Sequence, residues 1–435
     1  MPAPEPTPSV VPSARETESA TPRGRTGRLP PGGSLGRPGA SSSTRLDRWV
    51  LGRLAGIFAG APIQLVLWDG TTATLGRSPM AAIGIADRRT LRDLVLRPEI
   101  GFGEAYADGR LTVHGDLEGT LETVFRHMAG RWPRPILPHR ATGASRSAAR
   151  HNVHAHYDLG NDFYRLWLDD AMVYTCAYYE RPDASLEDAQ TAKLDHVCRK
   201  LRLRPGEHVI EAGSGWGALA IHMARHYGVT VRAYNISEAQ LEYSRARAWR
   251  EGLAGRVEFV AGDYREIRGR CDAFVSVGMV EHVGVRRYRE LGEVIARAIH
   301  PGHGRGLLHF IGRNYPARFS PWIERYVFPG AYAPALSEVL PRALEPFDLA
   351  VEDVENLRLH YAFTLAEWLA RFERHAREIA EMFDERFVRM WRLYLASAQA
   401  SFASGDLQLF QVLFRRPLDG DAPSTRRAFY QDPPA

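Results

Sequence analysis

Lysine is almost missing from this chain of 435 residues, and cysteine is scarce. Lys193 and Lys200 are the only lysines, so all but two of the 56 basic residues are arginines. The arginine fork suits phosphate groups, but enrichment on this scale more often reflects genome composition than ligand choice. With a net charge of only +5, we expect no nucleic-acid partner.

The three cysteines, Cys176, Cys198 and Cys271, lie far apart and are odd in number. This pattern argues against a disulfide framework and against a zinc site. It fits a reducing, cytoplasmic compartment.

One group of histidines, His151, His154 and His156, invites a metal-site interpretation. No cysteine or carboxylate partner stands at a useful spacing from the group, and it adjoins the run "YDLGNDFY". We therefore predict no metal site there.

Long apolar runs are missing as well. The N-terminus has no basic segment followed by an apolar core, so it does not resemble a secretory signal. The most apolar early stretch, residues 50–68, is broken by Arg53, Pro62 and Gln64, which makes it a poor membrane span. If the protein meets a membrane, we expect contact from the surface.

Changes in composition and periodicity divide the chain into five segments. Residues rich in Pro, Ser, Gly and Arg open the chain, and a second basic, Pro-punctuated stretch lies further along. The predicted segments are a disordered tail (1–45), a small first domain (46–130), a basic linker (131–150), a large second domain (151–420) and a C-terminal tail (421–435).

Strands and helices alternate from about residue 205, as in an open, doubly wound parallel sheet. Ser237, followed three residues later by Gln240, matches the capping box that starts a helix. Ligands of such sheets bind at the carboxyl ends of the strands. The predicted strands are "EHVIEAG", "VTVRAYN", "RVEFVAGD", "DAFVSVGM" and "GLLHFIG", with helices in "ALAIHMARHYG" and "SEAQLEYSRARAWREG"; in the first domain, "PIQLVLWDG" and "LTVHG" predict strands and "LEGTLETVFRHM" a helix.

The loop "EAGSGWG" places Gly213, Gly215 and Gly217 directly after a strand and before a helix. Glycines there allow a tight turn and a close backbone approach to a ligand. The third glycine comes one residue too early for a dinucleotide fingerprint. Together with Glu211 on the strand tip, the spacing fits a methyl-donor cofactor better than a nicotinamide one, although a tight structural turn would look similar.

Two further strand ends bear on the cofactor. Asp263 and Tyr264 follow the third predicted strand, where a carboxylate can accept from an adenine amino group and an aromatic face can flank the ring. These residues favour S-adenosylmethionine. The second strand ends in "YNISEAQ", where Asn235, Ser237 and Gln240 can hydrogen-bond but bring no acidic group for the ribose.

Several motifs in order resemble the cyclopropane-fatty-acyl-phospholipid synthase family, over about residues 46–417. The resemblance implies an α/β fold: a Rossmann-like class I methyltransferase sheet with helical cap insertions, preceded by a small N-terminal α+β lipid-binding domain. Residues 151–420 would then be the catalytic domain. The motifs are "HYDLGNDFYRLWLDDAMVYTCAYYE", "GSGWG", "NISEAQ", "GDYREI", "VSVGMVEHVG", "LLHFIG", "PWIERYVFPG" and, in the first domain, "GFGEAYADGRLTV".

Members of that family transfer a methyl group from S-adenosylmethionine to a cis double bond of a phospholipid acyl chain. They then remove a proton from the new carbon, so that a ring closes, with bound bicarbonate as the base. Glu281, expected at the end of a buried strand, would accept a hydrogen bond from the bicarbonate and orient it, and His282 beside it would be structural. The resemblance implies bicarbonate contacts from Cys176, Glu281, His309, the backbone of Ile311, and Tyr361.

The resemblance also implies a set of cofactor contacts, which includes the residues argued above from their position at strand ends. Placement alone makes Trp322, Tyr326 and Phe328 candidates for an acyl-chain tunnel. The full set of expected cofactor residues is Tyr174, Thr175, Glu211, Gly213, Ser214, Gly215, Gly217, Asn235, Ser237, Gln240, Asp263 and Tyr264.

Partners and alternatives follow from the same resemblance. The first domain would dock on a phospholipid bilayer, and the enzyme would be a cytoplasmic homodimer attached peripherally to the inner face of the membrane. A methyl- or methylene-branching enzyme is the nearest alternative, although the full set of bicarbonate ligands favours the ring. A lipid-binding protein with an inactive core and a methyltransferase for a soluble molecule are more distant alternatives.

Overall fold

The computed structural model describes residues 41–128, 159–417, 420 and 422–430. Most of the predicted N-terminal tail, the basic linker, the three grouped histidines and part of the C-terminal tail lie outside these residues. The division of the chain into five segments therefore stays a prediction.

A four-stranded sheet with four helices forms an N-terminal unit, residues 45–128. Its elements are α1 (Arg45–Ile57), β1 (Ile63–Leu67), β2 (Thr72–Thr74), β3 (Ala81–Ile85), α2 (Arg88–Leu96), α3 (Pro98–Ala107), β4 (Leu111–His114) and α4 (Leu117–Met128). The strand order is β2-β1-β3-β4, with β1 and β3 parallel and the outer pairs antiparallel. Thr44 and Asp47 form a capping box that begins α1.

A seven-stranded sheet forms the larger part of the molecule. Its elements and the helices around it are α5 (Asn161–Arg165), α6 (Leu186–Leu201), β5 (His208–Ala212), α7 (Ala218–His226), β6 (Thr230–Asn235), α8 (Glu238–Arg250), β7 (Val257–Ala261), β8 (Ala273–Val277), α9 (Val280–Val283), α10 (Tyr288–Ala298), β9 (Arg305–Gly312), α11 (Pro321–Tyr326), α12 (Leu336–Ala343), β10 (Ala350–Asn356), α13 (Arg358–Arg374), α14 (Ala376–Met382), α15 (Glu385–Ser404) and β11 (Gln408–Arg415).

The strand order of this sheet is β10-β11-β9-β8-β5-β6-β7, and β11 alone runs antiparallel to its neighbours. The chain winds outward from β5 in one direction and then returns to β8 on the other side. A switch point therefore lies between β5 and β8, where ligands of such sheets bind. The predicted α/β class and the five predicted strands are confirmed, whereas β10 and β11 were not predicted.

Helix α15 joins the two parts of the molecule, because it packs against α13 on one side and against α3 and α4 on the other. A second close contact lies between Gly103 of α3 and Trp322 of α11, where any Cβ would collide with the indole ring. The N-terminal unit is thus packed directly onto the helices that cover the large sheet.

The expectation that Glu281 ends a buried strand is wrong. Strand β8 ends at Val277, Gly278 turns the chain with a φ of 74°, and one turn of helix follows. Glu281 therefore stands on α9, where its carbonyl oxygen accepts from the backbone N–H of Tyr332 at 2.9 Å.

None of the described helices is both long enough and apolar enough to cross a membrane.

Candidate active site

A cavity of about 1200 Å³ opens at the carboxyl ends of β5, β6, β8 and β9. It collects most of the residues that the sequence assigned to the cofactor or to the base. The predicted residues on its wall are Tyr174, Thr175, Cys176, Glu211, Gly213, Ser214, Gly215, Asn235, Gln240, Asp263, Tyr264, Glu281, His309, Ile311 and Tyr361.

Gly217 and Ser237, expected to contact the cofactor, do not line the cavity. Gly217 begins α7 with a φ of 82°, and a Cβ there would meet the ring of Phe259. Ser237 is fully buried and accepts from the backbone N–H of Gln240 at 3.4 Å. Both residues shape the turns behind the wall.

The glycine-rich loop after β5 is hydrogen-bonded to the end of β6. The N–H groups of Gly213 and Ser214 both donate to the carbonyl oxygen of Tyr234, at 2.9 and 3.1 Å. The side-chain amide of Asn235 donates to the carbonyl oxygen of Gly215 at 3.0 Å. The loop conformation is therefore fixed by the protein itself, which favours a preformed binding site.

The Asn235 side chain stabilises this turn through hydrogen bonds. Its oxygen accepts from the N–H groups of Ile236 and Ser237, and its amide also donates to Oε1 of Gln240 at 2.9 Å. The expected capping box is therefore only half formed, because the Gln240 side chain turns toward Asn235. Nε2 of Gln240 is buried and has no hydrogen-bond partner.

Asp263 is held by a residue that the sequence analysis missed. Nε and a terminal nitrogen of Arg265 donate to its two carboxylate oxygens, each at 2.7 Å. The carboxylate is therefore ionised and fixed in orientation, with further lone pairs for a ligand. Tyr264 beside it has a buried hydroxyl without a partner. Arginine two residues after the aspartate in "GDYREI" was the available signal.

Glu211 and Lys193 bring two buried ionisable groups to the same wall. Burial raises the pKa of Glu211 to about 8, and its Oε2 has no partner. Lys193, which the sequence analysis did not assign to the site, donates from Nζ to Oγ1 of Thr175 at 2.9 Å.

Glu281 is joined to β9 through the backbone of Ile311, whose N–H donates to Oε1 at 2.6 Å. The amide expected to bind bicarbonate is thus already engaged by the carboxylate. Oε2 of Glu281 is buried without a partner, and burial raises the pKa of this residue to about 7.

His309 is a neutral hydrogen-bond donor to the cavity. Nε2 of Gln411 donates to its Nδ1 at 3.1 Å, so the proton of the neutral ring is on Nε2. That atom is buried and has no partner. Burial, reinforced by Lys193, lowers the pKa of His309 to about 3. The contact of Gln411 with His309 was not predicted, because Gln411 lies on the neighbouring strand β11, far away in the sequence.

Cys176 and Tyr361 complete the expected base-binding group. Cys176 is fully buried, and burial raises the pKa of its thiol far above the usual range, so it is not a thiolate. Its Sγ donates to the carbonyl oxygen of Ala177 at 3.1 Å. The Tyr361 ring packs against Phe402, with ring centroids 4.6 Å apart.

His282 also lines the cavity, because α9 is helical where a strand was expected. Burial lowers the pKa of His282 to about 4, so the ring is neutral. From the sequence, only a structural role was predicted for this residue.

The rest of the wall is largely apolar and reaches into the N-terminal unit. Trp322 and Phe328 line it, as predicted. Tyr326 does not line the cavity, and its hydroxyl donates to Oε1 of Glu104 at 2.6 Å. Side chains of the N-terminal unit on the wall include Leu54, Ile63, Leu65, Ile83, Leu121 and Val124.

Among the residues that the structure describes, no group of three or more histidines, cysteines or carboxylates could hold a metal ion.

The seven-stranded sheet with one antiparallel strand and the glycine-rich turn after β5 define an S-adenosylmethionine-dependent methyltransferase of class I. Residues 144–412 match the family model described as mycolic acid cyclopropane synthetase, and residues 53–130 match a domain of unknown function. The chain belongs to this family of S-adenosylmethionine-dependent transferases, which act on acyl chains.

Three similar proteins illustrate the range of proteins that this chain resembles. A probable fatty acid methyltransferase of Pseudomonas putida is 37% identical over 85% of this chain and 96% of its own. The cyclopropane-fatty-acyl-phospholipid synthase of Escherichia coli K12 is 37% identical over 74% of this chain and 84% of its own. The mycolic acid cyclopropane synthase CmaA1, solved with S-adenosylhomocysteine (SAH) and CTAB, is 28% identical with a TM-score of 0.58, over 61% of this chain and 98% of its own.

Proposed function

We propose that this enzyme transfers a methyl group from S-adenosylmethionine to the cis double bond of a phospholipid acyl chain. It then removes a proton from the added carbon, so that a cyclopropane ring closes. One observation carries the proposal: buried polar atoms without partners lie along a cavity that is otherwise largely apolar. These atoms are Oε2 of Glu211, Oγ of Ser214, Nε2 of Gln240, the hydroxyl of Tyr264, Oε2 of Glu281 and Nε2 of His309.

Four of the six atoms lie at the ends of β5, β6 and β7 and fit the cofactor. A buried polar atom without a partner costs about 1–3 kcal/mol, so their grouping supports a polar ligand. Glu211 offers an acceptor for an ammonium group, and Gln240 offers a donor beside the glycine loop. When bound there, S-adenosylmethionine supplies an electrophilic methyl group.

The other two atoms, on Glu281 and His309, fit bicarbonate. One is an acceptor and the other a donor, and bicarbonate carries both a proton and free oxygens. When bound, bicarbonate supplies the base for ring closure. Glu281 would hold it by accepting a hydrogen bond from its O–H group, and His309 would hold it by donating from Nε2; Cys176 and Tyr361 are further contacts in the proposal.

The apolar wall has its own part in the reaction. An isolated alkene is a weak nucleophile, so Trp322, Phe328 and their neighbours must hold it in line with the methyl group; alignment contributes up to several kcal/mol of barrier reduction. The same side chains exclude water, which would otherwise capture the carbocation on the acyl chain.

A second candidate uses the same cofactor and the same carbocation but loses a different proton. The product is then a methyl- or methylene-branched acyl chain. The relative named as a probable fatty acid methyltransferase, which matches most of this chain, favours this alternative.

The proposal includes peripheral binding to a phospholipid bilayer through the N-terminal unit. Leu46, Trp49 and Leu96 are 63–68% exposed there. Ile57 and Val95 are each 47% exposed and also line the cavity, so this apolar patch surrounds an entrance for an acyl chain. Exposed arginines on the same helices, Arg45, Arg48, Arg53, Arg89 and Arg92, would meet anionic headgroups.

The cytoplasmic location in this proposal is supported by the three free cysteines. A homodimer, which the family resemblance implies, stays a prediction.

The test incubates the purified protein with S-adenosylmethionine, bicarbonate and liposomes of a cis-monounsaturated phospholipid. Liposomes of the saturated phospholipid are the matched control. Mass spectrometry of the released acyl chains should show one added carbon and two hydrogens only with the unsaturated lipid. No added carbon in either sample would contradict the proposal.

A further inference from the structure

Helix α6 brings a buried ammonium group to the cavity wall. Lys193 is 2% exposed and donates to Oγ1 of Thr175. Among the described residues, no carboxylate oxygen lies within 4.0 Å of its Nζ, the distance of an ion pair. The other lysine, Lys200, is equally buried but pairs with Asp353 at 3.2 Å and Glu355 at 2.6 Å.

A buried charge without a partner is costly, so its retention calls for an explanation. Two arginines on this wall are each paired with a carboxylate. Arg265 pairs with Asp263, and Arg313 pairs with Asp406 at 3.1 Å. Lys193 is the exception among the buried basic side chains on the described wall, in a chain that otherwise uses arginine.

The nearby carboxylates do not neutralise Lys193. Asp169 accepts from the backbone N–H groups of Ala171 and Val173, at 3.0 and 2.8 Å. Glu211 is raised in pKa to about 8 by burial. Burial also lowers the pKa of Lys193 to about 8, although both carboxylates oppose that shift.

Lys193 also stands where the two halves of the site meet. It bonds to Thr175 on the cofactor side, and its charge acts on Cys176 and His309 on the base side. The proposed base is an anion, while the His309 ring and the Cys176 thiol that would surround it are neutral.

We propose that Lys193 is the counter-charge for a small carboxylate-type oxyanion bound in this cavity. This inference rests on the proposed function, which brings two such oxyanions to the cavity. One is the amino-acid carboxylate of the cofactor, and the other is bicarbonate.

Fastening the segment around Thr175 does not require the ammonium. Gln190, one turn earlier on α6, donates from Nε2 to the carbonyl oxygens of Val173 and Thr175, at 3.3 and 2.9 Å. Gln190 therefore provides a matched control for a merely structural role.

The experiment compares Lys193→Gln, which keeps a donor for Thr175 but no charge, with Lys193→Arg, which keeps the charge, and with Gln190→Leu. Calorimetry measures binding of SAH and of 5′-methylthioadenosine, which lacks the carboxylate. Thermal unfolding of the SAH complex measures stabilisation by bicarbonate, against chloride at equal ionic strength and pH.

We expect Lys193→Gln to weaken either SAH or bicarbonate binding at least tenfold, and to leave 5′-methylthioadenosine binding within twofold of wild type. Loss of SAH affinity identifies the cofactor carboxylate, and loss of the bicarbonate effect alone identifies the base. Lys193→Arg and Gln190→Leu should retain both.

The inference is overturned if folded Lys193→Gln binds SAH and bicarbonate like wild type. It is also overturned if Lys193→Arg or Gln190→Leu loses the same binding as completely as Lys193→Gln does. None of these measurements uses a lipid, so their failure is distinct from a failure to methylate acyl chains.

Discussion

The backbone N–H of Ile311 donates to Oε1 of Glu281 at 2.6 Å, which ties the helical turn after β8 to the middle of the sheet. The carboxylate keeps one oxygen, Oε2, for a ligand in the cavity. His309 lies two residues before Ile311 on the same strand and keeps one donor, Nε2. One acceptor on α9 and one donor on β9 are therefore left for a ligand in the cavity.

Glu281→Gln should reduce product formation at least a hundredfold and leave the Kd for SAH within twofold. The amide oxygen can still accept from Ile311, but the group left for the ligand is then a donor in place of an acceptor. Steady-state assays and calorimetry check the two halves. Glu338→Gln is the control, because Glu338 is a buried glutamate that accepts from Tyr332 and Ala335 and does not itself line the cavity. Loss of SAH binding in Glu281→Gln would contradict the assigned role.

The elevated pKa of Glu281 predicts opposite trends for stability and activity. Its folded pKa of about 7 lies above the ordinary value of 4.5, so burial is tolerated best when the group is protonated. Stability should therefore fall as pH rises from about 4.5 to 7, by up to about 3 kcal/mol. Activity should rise through the same range, because only ionised Glu281 leaves Oε2 as an acceptor for the hydrogen bond from the bicarbonate O–H.

Denaturant unfolding and initial rates between pH 5 and 8 test these trends. In Glu281→Gln the loss of stability with rising pH should be smaller than in wild type. An activity that falls from pH 6 to 8 in wild type would contradict the assignment.

Gly103→Ala should slow lipid turnover more than it weakens SAH binding. The added Cβ collides with the indole of Trp322, which lines the cavity, so the contact between α3 and α11 must open. Gly52→Ala is the control, since a Cβ there meets nothing within 4 Å and should stabilise α1 by about 0.5–1 kcal/mol. Equal effects of the two substitutions on turnover would show that the domain contact is unimportant for the lipid.

Trp49→Asp should reduce liposome binding at least tenfold, because it places a negative charge in the exposed apolar patch of α1. Co-sedimentation with anionic liposomes measures the effect. Trp249→Asp is the matched control, since Trp249 is 74% exposed on the other part of the molecule. If Trp249→Asp reduced binding as strongly, the docking surface would be wrongly placed.

Local patterns predicted the larger sheet better than they predicted contacts within the site. The glycine loop and the alternating strands are short-range features, so the positions of Glu211, Gly213 and Asp263 followed from them. The bond between Gln411 and His309 spans 102 residues and depends on the pairing of β11 with β9, which no local pattern specifies. The helical turn at Glu281 was missed because its apolar run also suits a strand.

The most direct test of the central claim follows the fate of the transferred carbon. Wild-type protein is given S-adenosylmethionine labelled with carbon-13 in its methyl group, together with bicarbonate and liposomes of a cis-monounsaturated phospholipid, and the acyl chains are examined by NMR. The account predicts a labelled methylene with high-field ring protons and loss of the olefin signal. A labelled methyl or exocyclic methylene group, with a retained or shifted olefin, would contradict ring formation.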